Sequence, residues 1–384
     1  MFEFTPKLVI WLWLICTSVA ILGCLYALIA ARLLARFAQK NATRNSRKRA
    51  VSILKPLYDI EPELEANLIS FCRQDYGGQI QLIFGLQKEN RPIAELIERL
   101  RKSFPDRDIR LSVNAARHGT NPKISNLINM LSGATHGILV ISDSDIRVGP
   151  DYLENVIAAI EKPGVGAASC LYCGVASGGI WAQLAAEGIN SHFLPNALVG
   201  LAAGLAKPCF GATIALSKDT LARIGGFEAF SDQLADDYAL GAAVRRLGLG
   251  VEIPRLIVTH VCCDESFSEL FRHEVRAART IRSIDPLGYA GLALTNPMPF
   301  ALAAAVCAGF TLPSLFVLLL SLASRAIVSR QAGRLGGARS GAILLSPLRD
   351  LLSLAVYAAG FLPGTLTWRG QRYGLRSDGT LTPS

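Results

Sequence analysis

Two carboxylates one residue apart follow a short apolar run in Ile138-Leu139-Val140-Ile141-Ser142-Asp143-Ser144-Asp145. The run is too short for a helix and predicts a buried central strand. Open α/β sheets bind ligands at the carboxyl ends of their strands. An Asp-x-Asp pair there offers hard oxygen ligands, few enough to leave positions for phosphate oxygens. It therefore suits a divalent cation held against a diphosphate. The same three residues also make a good turn and helix cap, so the surrounding elements decide between the readings.

A second acidic pair stands in Leu234-Ala235-Asp236-Asp237-Tyr238, opening a helix predicted to run to Arg246. Two acids at a helix start cap it and complement its dipole. Next to a metal–diphosphate site, one of them becomes a candidate general base. His260 follows the apolar Leu256-Ile257-Val258, where an imidazole either completes a metal site or packs and caps. His118 lies beside Gly119 in a loop that a ligand could reach. Cys170-Leu171-Tyr172-Cys173 is formally a CxxC, but no second pair stands at zinc-finger spacing, so packing is the better reading, as it is for Cys262-Cys263.

These residues need a scaffold, and the chain between 51 and 285 supplies an alternation of strands and helices. Strands are predicted at 51–54, 80–84, 110–113, 138–142 and 211–216, with helices at 63–73, 93–104, 123–131, 218–224 and 234–246. Such alternation implies an α/β domain built on a parallel sheet with helices on both faces. No G-x-G-x-x-G follows the first strand and no Walker lysine loop occurs. That argues against a dinucleotide dehydrogenase and a P-loop ATPase.

The chain has 384 residues, is 51% hydrophobic and yet carries a formal charge of +9. Its basic residues cluster beside apolar stretches instead of interleaving with aromatics, which fits a membrane protein and not a nucleic-acid binder. The stretch 8–34 is long enough to span a bilayer and too long for a signal-peptide core. Only Lys7 precedes it, whereas Arg32, Arg36, Lys40, Arg44, Arg47, Lys48 and Arg49 follow. The positive-inside bias therefore places the amino terminus outside and the α/β domain in the cytoplasm. The basic segment either holds anionic headgroups or is a solvated linker. The cysteines, nine in all, are then expected as reduced thiols.

A second apolar region, 287–327, is broken by Pro297, Pro299 and Pro313 and predicts a helical hairpin or re-entrant pair. Arg325, Arg330, Arg334 and Arg339, with Gly333, Gly336 and Gly337, mark a cytoplasmic loop after it. A third region, 343–362, carries Arg349 and Asp350 near its middle. A charged pair is costly inside a span, so an interfacial or re-entrant helix is at least as good a reading. The tail, with Arg369, Arg372 and Arg376, again reads as cytoplasmic.

Several separated motifs occur together in a recognisable order. They are Val51-Ser52-Ile53-Leu54-Lys55-Pro56-Leu57, Asn121-Pro122-Lys123-Ile124-Ser125-Asn126-Leu127, Ser142-Asp143-Ser144-Asp145-Ile146-Arg147-Val148, Ala235-Asp236-Asp237-Tyr238 and Arg276. Together they resemble the ceramide glucosyltransferase family (glycosyltransferase family 21). Cys170-Leu171-Tyr172, Phe193-Leu194-Pro195 and Ala278-Arg279-Thr280-Ile281-Arg282 bring the resemblance closer to the bacterial hopanoid-biosynthesis glycosyltransferases. The resemblance implies a GT-A domain at 41–285, an amino-terminal transmembrane anchor at 1–40, and membrane-embedded or re-entrant helices with a tail at 286–384. It implies a multi-pass protein of the inner membrane. The donor would be UDP-glucose or UDP-N-acetylglucosamine, the cation Mg or Mn, and the acceptor a lipid hydroxyl of a hopanoid polyol or ceramide. The family's metal–diphosphate acid falls on Asp143, with Asp145 beside it, and its catalytic base falls on Asp237. Its membrane-proximal basic residue falls on Arg276, which would neutralise the leaving diphosphate, and Lys123 stands where an ammonium could meet the donor phosphates or face solvent.

The chain departs from the family at two places. The early acid in the loop after the second strand is replaced by Lys88, with Glu89 one residue late as a substitute for nucleotide binding. The motif that usually ends in Arg-Trp reads His273-Glu274-Val275-Arg276-Ala277, without the indole that would offer a flat surface to sugar or lipid. Two other classes stay open on these grounds: a non-catalytic lipid- or nucleotide-binding relative, and a processive polysaccharide synthase, which would want the Trp and more spans.

Overall fold

The computed structural model describes residues 6–38, 48–336, 344–362, 366–368, 371–375 and 380–383. They fall into two units. The described parts of the first lie within 40–172, 207–263 and 365–384, and those of the second within 1–39, 173–206 and 264–364. Of the basic residues expected at the membrane edges, Lys40, Arg44, Arg47, Arg339, Arg369 and Arg376 lie outside the described residues.

The first unit is built on four strands, β1 (Val51–Pro56), β2 (Ile80–Leu86), β3 (Asp108–Val113) and β4 (Ile138–Ile141). β1, β2 and β4 are buried along their whole length. Successive side chains point to opposite faces. Ile53 and Val140 therefore join an apolar cluster with Leu68 and Phe71 of helix Leu64–Cys72 and Leu96 of helix Arg91–Ser103. Leu54, Leu139 and Ile141 join a second cluster with Ile124 and Leu127 of helix Pro122–Leu131 and Leu240 of helix Asp236–Arg246. Burial on both faces is why these strands read as unbroken apolar runs. Asn90 and Asn121 cap the helices that follow them, accepting from Ile93 N and from Lys123 N and Ile124 N.

β3-β2-β1-β4 pair in parallel, as the alternation predicts. Beyond β4 the parallel expectation fails. Strand Ile214–Ser217 pairs antiparallel with β4 and with Val165–Ser169, and Gly250–Glu252 completes the seven-stranded sheet. The strand expected at 211–216 starts three residues later, because Ile214 is already opposite Ile141. The antiparallel direction delivers the lead-in residues 211–213 to the carboxyl end of β4, where a parallel strand would have delivered its own carboxyl end. Three short carboxyl-terminal strands, Leu366–Trp368, Gln371–Leu375 and Leu381–Pro383, also belong to this unit. Tyr373 and Leu381 pack on Leu234, and Leu381 N donates to Asp232 O at 2.8 Å.

The second unit is helical. Helices within it at Lys7–Phe37 and Leu312–Leu335 are long and apolar enough to cross a membrane, and Pro286–Thr295 with Pro297–Cys307 forms a bent pair at 57°. Pro297 marks that bend, as expected. Pro313 marks the second break: one helix ends at Cys307 and the next, Leu312–Gly336, holds Pro313 in its first turn, where its missing N–H is unneeded. Small residues let the helices approach closely, with Ala20 against Ala301 and Val317. A Cβ on Gly23 would stand only 2.7 Å from Leu294 O.

Arg349 and Asp350, on helix Ser346–Ala359, are both buried, and partners elsewhere in the unit answer their charge. Arg325 Nε donates to Asp350 Oδ1 at 2.9 Å, and Arg325 Nη1 to Ser191 O at 2.8 Å. Arg349 donates to both carboxylate oxygens of Glu274 at 2.6 Å. The sequence left a span and an interfacial or re-entrant helix open for this pair; the structure shows protein groups compensating both charges. Asp350→Ala leaves Arg325 buried and unpaired, and is expected to cost about 3–5 kcal/mol. Arg325→Met combined with Asp350→Leu should recover most of that, as read by thermal unfolding in detergent.

Candidate functional site

The carboxyl end of β4 carries Asp143 and Asp145, and two helices aim their amino termini toward the same place. Lys123 lies in the first turn of helix Pro122–Leu131, and Asp236 and Asp237 in the first turn of helix Asp236–Arg246. Lys123 Nζ stands 2.7 Å from Asp143 Oδ1 and 3.7 Å from Asp236 Oδ2. Asp236 Oδ1 accepts from Asn121 Nδ2 at 3.2 Å, so the cap of one helix also holds the acid that opens the other. Asp237 Oδ2 accepts from Gly211 N at 2.8 Å, and its Oδ1 from Tyr238 N at 2.7 Å. Gly211 is the centre of this group: a Cβ there would lie 3.2 Å from Lys123 Nζ, 3.3 Å from Asp143 Oδ2 and 3.4 Å from Asp237 Oδ2.

Asp145 turns the other way. Its Oδ2 lies 3.2 Å from His260 Nε2, on strand Ile257–Cys262, while its Oδ1 is buried with no hydrogen-bond partner. The ring of Tyr172 lies beside the imidazole, with centroids 5.7 Å apart.

Burial opposes charge at every member of this group, and neighbours decide the outcome. Asp237 is raised to about 6, first by desolvation and then by the adjacent Asp236, with Lys123 and the two backbone N–H groups pulling back. Asp143 is raised, because burial and the repulsion of Asp145 outweigh the ion pair with Lys123. Asp145 is lowered: burial works against its ionisation, but His260 and the two lysines overcome it. His260 is raised in return, its burial outweighed by Asp145. Lys123 is raised by its acids against burial. Lys55, buried on the far side of the turn, is lowered by desolvation to about 7 despite the pull of Asp145, Asp143 and Glu61.

Of the residues singled out in the sequence, Lys123, Asp143, Asp145 and Asp237 come together here. Glu89 does not join them and stands exposed in the loop after β2, where Lys88 Nζ lies 5.5 Å from the centroid of the Tyr58 ring. Arg276 belongs to the helical unit, on helix Phe267–Ile284. On the same helix, Glu269 and His273 join Asp264 with one ligand atom each within 4.8 Å, the one such trio among the described residues. His118 is taken up internally, with Nε2 2.8 Å from Asn129 Oδ1. All nine cysteines are free. Sequence reasoning missed Gly211 and Lys55. Only the glycine in the lead-in to the strand, and a lysine closing an apolar run, hinted at them.

A carboxyl group whose folded pKa of about 6 exceeds its ordinary 3.8 contributes stability that is present below pH 3.8 and lost as pH rises through 6. Asp237→Asn is therefore expected to melt higher than wild type at pH 7.5. The difference should shrink below pH 4, in a calorimetric pH series.

A family model described as Glycosyl transferase family 21 matches residues 15–381. Ceramide glucosyltransferase 1 of Caenorhabditis elegans is 26% identical over 220 residues, covering 57% of this chain and 46% of that protein. Ceramide glucosyltransferase 3 of the same organism is 23% identical over 357 residues, covering 87% of this chain and 74% of that protein. The chain thus spans less than half of the first of these relatives. Among solved structures, a mannosyltransferase from Pyrobaculum calidifontis, determined with GDP-mannose and Mn2+, is similar with a TM-score of 0.53 at 20% identity. That match covers 88% of this chain and 99% of the other. The likeness is one of fold, and the sheet unit is a GT-A domain.

Proposed function

The chain belongs to glycosyl transferase family 21, and from that premise we propose that it moves a hexose or N-acetylhexosamine from a UDP-sugar to a lipid hydroxyl at a membrane. The observation that carries this reading is the group around Gly211: an ammonium and two carboxylates meet at the carboxyl end of a central strand. A lipid acceptor such as ceramide is supported by the names of the curated relatives and by the two apolar helices; a hopanoid polyol is the alternative that the sequence motifs alone suggest. The sugar is glucose or N-acetylglucosamine.

Asp143 and Asp145 offer two hard carboxylates, which suit Mg or Mn. The unpartnered buried Oδ1 of Asp145 fits an oxygen reserved for such an ion. When bound, the cation would neutralise charge on the donor diphosphate. The chain's own residues do the rest. Lys123 adds a point charge beside the phosphates. Asp237, raised toward neutrality, accepts the proton of the lipid hydroxyl as its oxygen bonds to the sugar and the sugar–phosphate bond breaks. Gly211 leaves the space between these groups open to the reacting atoms. By the family motif, Arg276 meets the charge of the departing UDP.

Arg32 and Arg36, at the carboxyl end of the amino-terminal helix, support an outside amino terminus, with the catalytic domain, 41–285, in the cytoplasm at the inner membrane and further membrane helices within 286–384. The gathered acids favour catalysis over a non-catalytic relative, even though Lys88 and Ala277 depart from the family.

The test is transfer of radiolabelled sugar from UDP-glucose and UDP-N-acetylglucosamine into total lipid, with membranes holding wild type or Asp143→Ala. Label should enter a lipid with wild type alone. Label from neither donor, with the protein folded, would favour the non-catalytic relative. Asp237→Asn is expected to lower kcat by about 10²–10⁴-fold, the usual worth of a general base, with UDP affinity unchanged by calorimetry. Near-full transfer by that variant would remove Asp237 from the chemistry.

A further inference from the structure

Lys55 is the fifth residue of β1, and its side chain is fully buried. An ammonium in such a place is costly unless something specific requires it. A Met or Leu would fill the same volume and pack on the same neighbours. What those cannot do is donate a hydrogen bond. Lys55 Nζ donates to the backbone carbonyl of Asp143 at 2.7 Å, lies 3.5 Å from Ser142 Oγ, and stands 3.8 Å from the centroid of the Phe71 ring.

The other polar groups of the same turn are held in the same way. Asn67 Nδ2 donates to Ser144 O at 3.3 Å, Ser144 Oγ donates to Glu61 Oε2 at 2.9 Å, and Val261 N donates to Asp145 O at 2.9 Å. Ile146 N also reaches Asp143 O, at a longer 3.3 Å. Three consecutive carbonyls are thus engaged from behind. With the backbone pinned, the Asp143 side chain is left to Lys123 and the Asp145 side chain to His260. Of the four backbone anchors, the lysine makes the shortest bond.

We infer that Lys55 is a positioning residue that fixes the Asp143-Ser144-Asp145 turn in the orientation needed to receive a divalent cation with a nucleoside diphosphate. The inference rests on the reading of the site given above. Lys55 touches no substrate in this account; it acts through the backbone of the acids.

The test uses the full-length protein in detergent, with Mn2+ as the probe in the presence of UDP, and reads free Mn2+ by its paramagnetic resonance signal. Lys55→Met is expected to weaken Mn2+ uptake roughly tenfold, the loss of one hydrogen bond from a charged donor. Lys55→Gln keeps a neutral N–H donor in the same pocket; it should recover part of that loss, and it serves as the test should the Met variant not fold. Phe71→Leu disturbs the same pocket without removing the donor, so it should lower the melting temperature while leaving Mn2+ uptake within about twofold. Lys55 variants that bind Mn2+ as well as wild type, or a Phe71→Leu loss as large as theirs, overturn the inference. A wild type that takes up no Mn2+ with UDP, although folded, overturns the reading of the site itself and the inference with it.

Discussion

The ion pair between Lys123 and Asp143 is the constraint on which the sheet unit depends. Carboxylates at the end of a strand buried on both faces lose much of their hydration, and that loss must be answered locally. Lys123 answers it for Asp143 directly and for Asp236 at longer range. The pairing ties the start of helix Pro122–Leu131 to the end of β4 and, through Asn121, to the start of helix Asp236–Arg246. Asp237 has backbone N–H donors instead, and burial with the repulsion of Asp236 raises it to about 6 against their pull. Unequal compensation turns a cluster of like residues into groups with different chemistry.

The antiparallel strand Ile214–Ser217 serves the same arrangement. Its direction brings Gly211 between Lys123, Asp143 and Asp237, where any side chain would occupy the shared space. The Gly211 amide then becomes a donor to Asp237. Fold topology and site electrostatics are here one feature. The helical unit solves a related problem by different means: Arg325, Asp350, Arg349 and Glu274 compensate one another inside the protein, so charged residues can occupy apolar helices.

Much of this was legible in the residues. The apolar run ending in Asp143-Ser144-Asp145 announced a central strand with carboxylates at its end, and the alternation announced the helices after β2 and β3. What was not legible depends on contacts between distant residues. The direction of Ile214–Ser217 is set by which neighbour it pairs with, which a four-residue apolar run does not encode. Arg349 and Asp350 read as costly inside a membrane span because their partners lie far off in the sequence, at positions 274 and 325. Lys55 was indistinguishable from any residue closing a strand, since the carbonyl it holds belongs to Asp143.

The most direct test is the pH dependence of kcat/KM for sugar transfer to lipid, which reports the free enzyme's groups. A base is effective only when ionised, so a carboxylate held near 6 gives full activity above that pH and loses it below. The account predicts an acid limb centred near pH 6, falling about tenfold per pH unit beneath it. A rate that stays flat down to pH 4.5, with the protein still folded, would contradict the claim that burial beside Asp236 tunes Asp237 for catalysis.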